Sequence, residues 1–205
     1  MKLYFATGTC SMSCVMEIKE LGIACELVEV SWKRNENVEE LMSLNPLGTT
    51  PVLVSDEGKV LTQNIAVLEY LADKYSKGQH LPAVGTWERV QTMSWLSFVA
   101  SDFHKAFGPA FRSEEMAHLE VSQKQIEQFA KNNISDYVAH VNCSLRDRNY
   151  ITGSQFTVAD CYLFTILRWC EWVDIGFSEY HAIESYMKRM NERPAIKKTL
   201  ELEGD

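Results

Sequence analysis

The stretch TGTCSMSCV, residues 7–15, sets Cys10 among glycine, serine and threonine, not among apolar neighbours. In front of it, KLYFA at 2–6 suits a short β-strand. Behind it, residues 11–22 favour a helix, with Ser11 available as a cap and Gly22 as the stop. CELVEVS at 25–31 then alternates polar and apolar residues with the period of a half-buried strand. Strand, helix, strand reads as a βαβ unit with parallel strands and a right-handed crossover. Cys10 therefore falls at the mouth of a helix, where unpaired backbone N–H groups and the helix dipole favour a thiolate, its own or a bound one. A small residue filling a turn would explain the same placement.

Moving outward, a polar loop around Lys33 leads to a short helix near 38–44, and NPLGTTPVLVS at 45–55 marks turns before a strand at 51–55. A turn at DEGK, 56–59, returns the chain into VLTQ, 60–63, making a hairpin. In the helix expected from Asn64 to Tyr75, Leu68, Leu71, Ala72 and Tyr75 recur at helical spacing, and Asn64 can cap its start. The order β-α-β-α-β-β-α is thus complete by residue 77. SKGQHLPAVGT, 76–86, has the composition of a linker, and helices are expected over 87–107, 114–141, 157–172 and 181–191. The expected organisation is an α/β domain over 1–77, a linker over 78–86 and an all-α domain over 87–205. In TVADCYLFTILRWC, 157–170, only Asp160 and Arg168 are charged, so this helix should be buried all round, with Thr157 and Asp160 spaced as a capping box.

Composition narrows the function classes. The chain has 205 residues, 46% of them hydrophobic, and a formal charge of −8 distributed over both halves. With no basic face to neutralise phosphates, nucleic acid is not an expected partner. No apolar run reaches membrane-spanning length and no secretory leader is visible, so a cytoplasmic protein without a membrane partner is expected. The six cysteines and five histidines follow neither disulfide-scaffold nor zinc spacing, so reduced thiols and no metal are expected.

Three further features carry chemistry. Pro51 either starts an edge strand in trans or forms a cis bond that turns backbone groups toward Cys10. Gln63 and Asn64, at a helix mouth, either cap it or hold an anion. His104 and Lys105 interrupt the mainly apolar SDFHKAF, 101–107, which on its own reads as a solvated face.

Taken in order, MKLYF, GTCS, LNPLGTTPVL, LTQNIAVLEYLAD, SWLSFVASDFHK, FTVADCYLFTILRW and MKRMNERP resemble the glutathione transferase family, in particular its bacterial beta class, over essentially the full length. The resemblance implies an N-terminal thioredoxin-like domain with a C-terminal helical bundle that supplies an electrophile pocket and part of a homodimer interface. It implies glutathione as co-substrate, with no other cofactor, and a small hydrophobic electrophile as second substrate. By motif match, Cys10 meets the glutathione sulfur, Val52 beyond a cis-Pro51 pairs with the cysteinyl part of the tripeptide, and Gln63 and Asn64 hold its γ-glutamyl end. His104, as a catalytic residue, and Lys105 reach the site from the helical domain. Lys33 contacts the glycyl carboxylate, and Ser97 and Asp102 approach the ligand of the partner subunit. The sequence departs from the family at Gln63, where Glu is usual, at Asn64, where Gly or Ser is usual, and at Cys14. That second cysteine is expected to pack against the second strand as a small apolar residue. Two other readings of the same features are a glutathione-dependent thiol-disulfide oxidoreductase and a catalytically weak ligand-binding or partner-binding protein.

Overall fold

The computed structural model describes residues 1–118 and 120–203. The chain divides into two compact units, one formed by Met1–Arg89 with the described residues from Met190 on, the other by Val90–Arg189.

In the first unit, β1 (Lys2–Phe5), α1 (Met12–Leu21), β2 (Glu26–Glu29), α2 (Val38–Leu44), β3 (Val52–Val54), β4 (Val60–Thr62) and α3 (Asn64–Tyr75) follow the expected order. The four strands lie in the order β2-β1-β3-β4, β2 parallel to β1 and the β3–β4 hairpin antiparallel. Successive side chains of a strand face opposite ways. Accordingly Tyr4 and Val52 pack with Val30 and Leu41 on the side that carries α2, a cluster extended by Val28, Val38, Leu44 and Val54.

Helix α1 is buried along Met12–Ile18 and packs on α3. Gly22 ends it in the left-handed conformation, φ 62°, its N–H meeting the carbonyls of Ile18 and Lys19, as a C-terminal glycine should.

Two expected caps are not formed. Ser11 stands at the N-cap of α1 but already has helical φ and ψ, so its hydroxyl lies 3.0 Å from the Ala6 N–H and ties the end of β1 to the helix. At α3 the N-cap residue is Gln63, and Asn64 is the first helical residue with its side chain turned toward α1.

In the second unit, α4 (Trp87–Phe98), whose first residues belong to the first unit, runs through a π-helical turn at Val99–Phe103 into α5 (His104–Phe111). The helix expected over 114–141 includes residue 119, which lies outside the described residues, and is interrupted before it. There α6 (Ser113–Met116) ends in extended backbone at Ala117, and α7 (Glu120–Ser144) follows. Helix α8 (Val158–Trp172) is buried on nearly every face. Its Asp160 carboxylate receives the Thr157 N–H at 2.8 Å, the Thr157 hydroxyl at 3.1 Å and the Ile151 N–H at 2.9 Å.

After α9 (His181–Glu192) comes a helix that the sequence reading did not separate, α10 (Pro194–Leu200), with its proline at the first position, where the missing N–H costs nothing. It packs on α1, and Arg193 makes a two-pronged ion pair with Glu20 at 2.6 and 2.7 Å. The segment from Met190, expected within an all-α domain over 87–205, is thus part of the first compact unit; residues 204 and 205 lie outside the described residues. No helix among the described residues is long and apolar enough to cross a membrane.

Candidate functional site

The loop between β1 and α1 brings Cys10 against the residue before Pro51. The Cys10 thiol is half-buried, its Sγ 3.9 Å from the carbonyl oxygen of Thr50, and the Thr50–Pro51 bond is cis, as the resemblance implied. Thr9 stands beside the same turn, its hydroxyl 3.4 Å from that of Thr50. Val52 follows as the first residue of β3, paired with Tyr4 of β1 and Thr62 of β4 and fully buried.

The start of α3 belongs to the same neighbourhood. Gln63 is exposed and has φ 75° and ψ 124°, a backbone region that side-chain-bearing residues rarely occupy and that persists only where the surroundings impose it. No side chain caps α3, so its first N–H groups have no partner within the helix. Asn64, by contrast, is 7% exposed. Its Nδ2 donates to the Ser13 hydroxyl at 2.9 Å, and its Oδ1 lies 3.2 Å from Cys14 Sγ. The Ser13 hydroxyl lies 2.7 Å from the Cys10 carbonyl.

Cys14, fully buried on α1, has its sulfur against Asn64 at the start of α3. Burial pushes its thiol well above the ordinary range, so it stays protonated.

Lys33 is exposed in the loop closed by the Ser31–Glu36 bridge, and nothing in the described structure brings it to Cys10. A surface concavity beside α2, bounded by Asn35, Asn37, Val38, Glu39, Glu40 and Ser43, includes none of the expected site residues, and its two glutamates suit it poorly to an anionic ligand. Among the described residues no group of three or more His, Cys, Asp or Glu is disposed to hold a metal.

Within the second unit, the π-helical turn separates Ser97, exposed on α4, from His104 and Lys105 at the start of α5; such turns recur at functional sites. Asp102, on the turn, accepts a hydrogen bond from the Ser101 hydroxyl at 2.6 Å. Lys105 is exposed. His104 is not the solvated residue that its sequence context suggests. Its Nδ1 lies 2.7 Å from the Tyr162 hydroxyl and its ring stands edge-on to Trp169 at 4.8 Å.

Burial, reinforced by the Lys105 charge, lowers the His104 imidazole to about 4 from an ordinary 6.5. The unfolded chain then binds a proton across that interval that the native chain does not. The stability tied to neutral His104 is complete above pH 6.5 and is lost as pH falls toward 4. A ring-proton NMR titration should show a midpoint near 4, moving upward in Lys105→Ala; a midpoint above 6 would contradict a half-buried, neutral ring.

Sequence reading missed Ser13, Thr9 and Tyr162. Each acts on a partner distant in sequence or through its hydroxyl alone, and only the helical phase of Ser13, one turn from Cys10, hinted at its place.

Comparison with known proteins agrees with the motif resemblance. The family models described as glutathione S-transferase N-terminal and C-terminal domains match residues 1–73 and 98–194. The chain is 34% identical over 206 residues to glutathione S-transferase GstA of Escherichia coli, covering 100% of this chain and 99% of that one. Among solved structures, a sphingomonad glutathione S-transferase complexed with glutathione superposes with a TM-score of 0.87 at 32% identity, covering 100% of this chain and 99% of its own. A beta-class glutathione S-transferase of Sphingomonas chungbukensis gives 0.88 at 32% identity, with 100% and 99% covered. With both family domains matched and relatives aligned end to end, the chain belongs to the glutathione S-transferase family, in its bacterial beta class.

Proposed function

We propose that this protein binds reduced glutathione at the Cys10–Pro51–Gln63 face of its first unit and transfers the glutathione sulfur to small hydrophobic electrophiles. The observation that carries this reading is the convergence, from three separate segments, of the Cys10 thiol, the turn preceding Val52 and the uncapped start of α3. An extended tripeptide needs backbone partners for its middle and an anion-binding helix start for its γ-glutamyl carboxylate. The backbone of Val52 and the Gln63–Asn64 turn supply these. Because the Asn64 side chain faces inward, it is the Asn64 backbone N–H, not its amide group, that meets the carboxylate.

In the reaction the glutathione thiol gives up its proton to solvent water, its sulfur attacks the electrophilic carbon, an S–C bond forms and the leaving group departs with its electron pair. Lowering a thiol pKa from about 8.5 to about 6.5 raises the thiolate fraction at pH 7 roughly 25-fold. The accompanying loss of nucleophilicity removes about eightfold of that gain. About threefold remains, so most of the acceleration comes from holding thiolate and electrophile together.

The family resemblance adds His104 and Lys105 as contacts from the helical domain, Lys33 toward the glycyl carboxylate, and Ser97 and Asp102 toward the ligand of a partner subunit in a cytoplasmic homodimer. It likewise keeps the helices of the second unit, the greater part of the 87–205 stretch expected as a domain, as those that shape the electrophile pocket. The oxidoreductase reading ranks second, since Cys14, the nearest thiol along the chain, is buried and held protonated, the reverse of what a resolving cysteine needs.

Retention on immobilised glutathione with turnover of an aryl halide tests the proposal. Turnover of mixed disulfides in its place would support the oxidoreductase, and absence of retention would refute both. Lys105→Ala is expected to raise the apparent KM for glutathione several-fold, more at low than at high ionic strength, because an acidic protein must supply local positive charge to an anionic tripeptide. Unchanged kinetics at low salt would return Lys105 to the solvated surface.

A further inference from the structure

We propose that Cys14 is a positioning residue, whose thiol proton holds the Asn64 amide and thereby fixes the Gln63–Asn64 turn against the backbone of Cys10; its role in catalysis rests on the glutathione reading above. The argument is a count of protons.

The Ser13 hydroxyl has one hydrogen; of the Cys10 carbonyl at 2.7 Å and Asn64 Oδ1 at 3.2 Å it donates to the nearer. Its own oxygen accepts the Asn64 Nδ2–H at 2.9 Å. Asn64 Oδ1, buried with the rest of the side chain, then needs another donor. The Cys14 Sγ–H, at 3.2 Å, is that donor, and it lies farther from the Asn64 carbonyl, at 3.9 Å. Cys14 is fully buried, and burial keeps its thiol protonated, so the hydrogen is always present.

The result is an unbroken chain: Cys14 S–H to Asn64 Oδ1, Asn64 Nδ2–H to Ser13 Oγ, Ser13 O–H to the Cys10 carbonyl. It joins two helix starts that are about 50 residues apart in sequence, and it does so at the residue next to the strained Gln63. A strained turn at a helix start stays in place only if something over-determines it, and here the neighbouring side chain is held at both ends.

Without the thiol, one of two things must give. Either Oδ1 is left buried without a donor, or the Ser13 hydrogen turns to Oδ1 and releases the Cys10 carbonyl. Both loosen the register between Cys10 and the α3 N–H groups.

The test uses the full-length protein and reads two quantities, glutathione affinity by titration calorimetry and amide hydrogen exchange in the first turn of α3. Cys14→Ala is expected to weaken glutathione binding about threefold to tenfold, as for loss of one buried hydrogen bond, and to speed exchange at Asn64, Ile65 and Ala66. Cys14→Ser, with a hydroxyl donor in place of the thiol, is expected to restore both. Combining Cys14→Ala with Asn64→Ala should cost no more than Asn64→Ala alone, because the acceptor is already gone. The proposal is overturned if Cys14→Ser behaves like Cys14→Ala, which would assign the residue to packing. It is equally overturned if Cys14→Ala matches wild type, or if the two substitutions add. Should the wild type fail to bind glutathione, the functional reading falls, while the exchange contrast between Ala and Ser still decides whether the thiol holds the turn.

Discussion

Replacing Asp160 with alanine is expected to cost about 3–5 kcal/mol of folding stability at pH 7, a large part of what holds a domain of this size together. The carboxylate is completely buried at the start of α8, and both backbone N–H groups that point at it belong to buried residues, Ile151 and Thr157. Alanine leaves those two donors and the Thr157 hydroxyl without an acceptor where water has no ready entry. Asparagine keeps the shape but not the chemistry. Oδ1 serves Ile151 and Oδ2 serves Thr157, so whichever position the amide nitrogen takes, an N–H faces an N–H.

The pH dependence has a definite sign. Burial pushes the Asp160 carboxyl up to about 6 from 3.8, against the pull of its hydrogen bonds. Between those values the native chain holds the proton more tightly than the unfolded one. The associated stability is complete below pH 3.8 and lost as pH rises through about 6. The gap between wild type and Asp160→Asn is therefore expected to narrow from acid to neutral pH. Urea unfolding of the three proteins at pH 4, 5.5 and 7 measures it; an alanine variant within about 1 kcal/mol of wild type at pH 7 would show that the capping box is incidental.

What was legible in the sequence was mostly local. The pairing of Thr157 with Asp160 could be read because both partners lie within one helical turn, and Gly22 because a left-handed stop needs no knowledge of the rest of the chain. The order of elements along the first unit was legible through the motif set: TTPV following the Cys10 stretch, and the hairpin and third helix after it.

Asn64 was misread as a cap for the opposite reason. Its side chain could satisfy α3 or α1, and the choice was made by Ser13 and Cys14, some 50 residues earlier in the chain. His104 looked like a solvated residue because Tyr162 and Trp169, which cover part of it, come from α8. The short α10 was missed because its seven residues carry too little periodicity to signal which helix it would cover. Side chains whose surroundings are built from distant segments are the ones that pattern reading mistakes for surface or cap.

The same contrast between local and distant surroundings separates the two cysteines of the opening stretch. Exposed to oxidised glutathione, the protein is expected to gain one glutathionyl group at Cys10. The Cys10 sulfur attacks one sulfur of the disulfide, a new S–S bond forms, and the second glutathione leaves as its thiolate. Cys10 has the requirements for that attack: it is only half-buried, it precedes the first turn of α1, and the helix dipole favours its thiolate.

Cys14, one turn further, has neither access nor charge, being fully buried and held as a thiol by its surroundings. A direct bridge between the two would have to join the turn before α1 to the buried face of that helix, a poor direction for disulfide geometry. Cys143, exposed on α7, reports ordinary solvent reactivity in the same sample and should react more slowly than Cys10. Peptide mapping by mass spectrometry is expected to find the adduct at Cys10 in the wild type and in Cys14→Ala, and none at position 10 in Cys10→Ala. An adduct on Cys14, or an internal bridge between residues 10 and 14 as the main product, would transfer the reactive role to the pair and move the oxidoreductase ahead of the transferase.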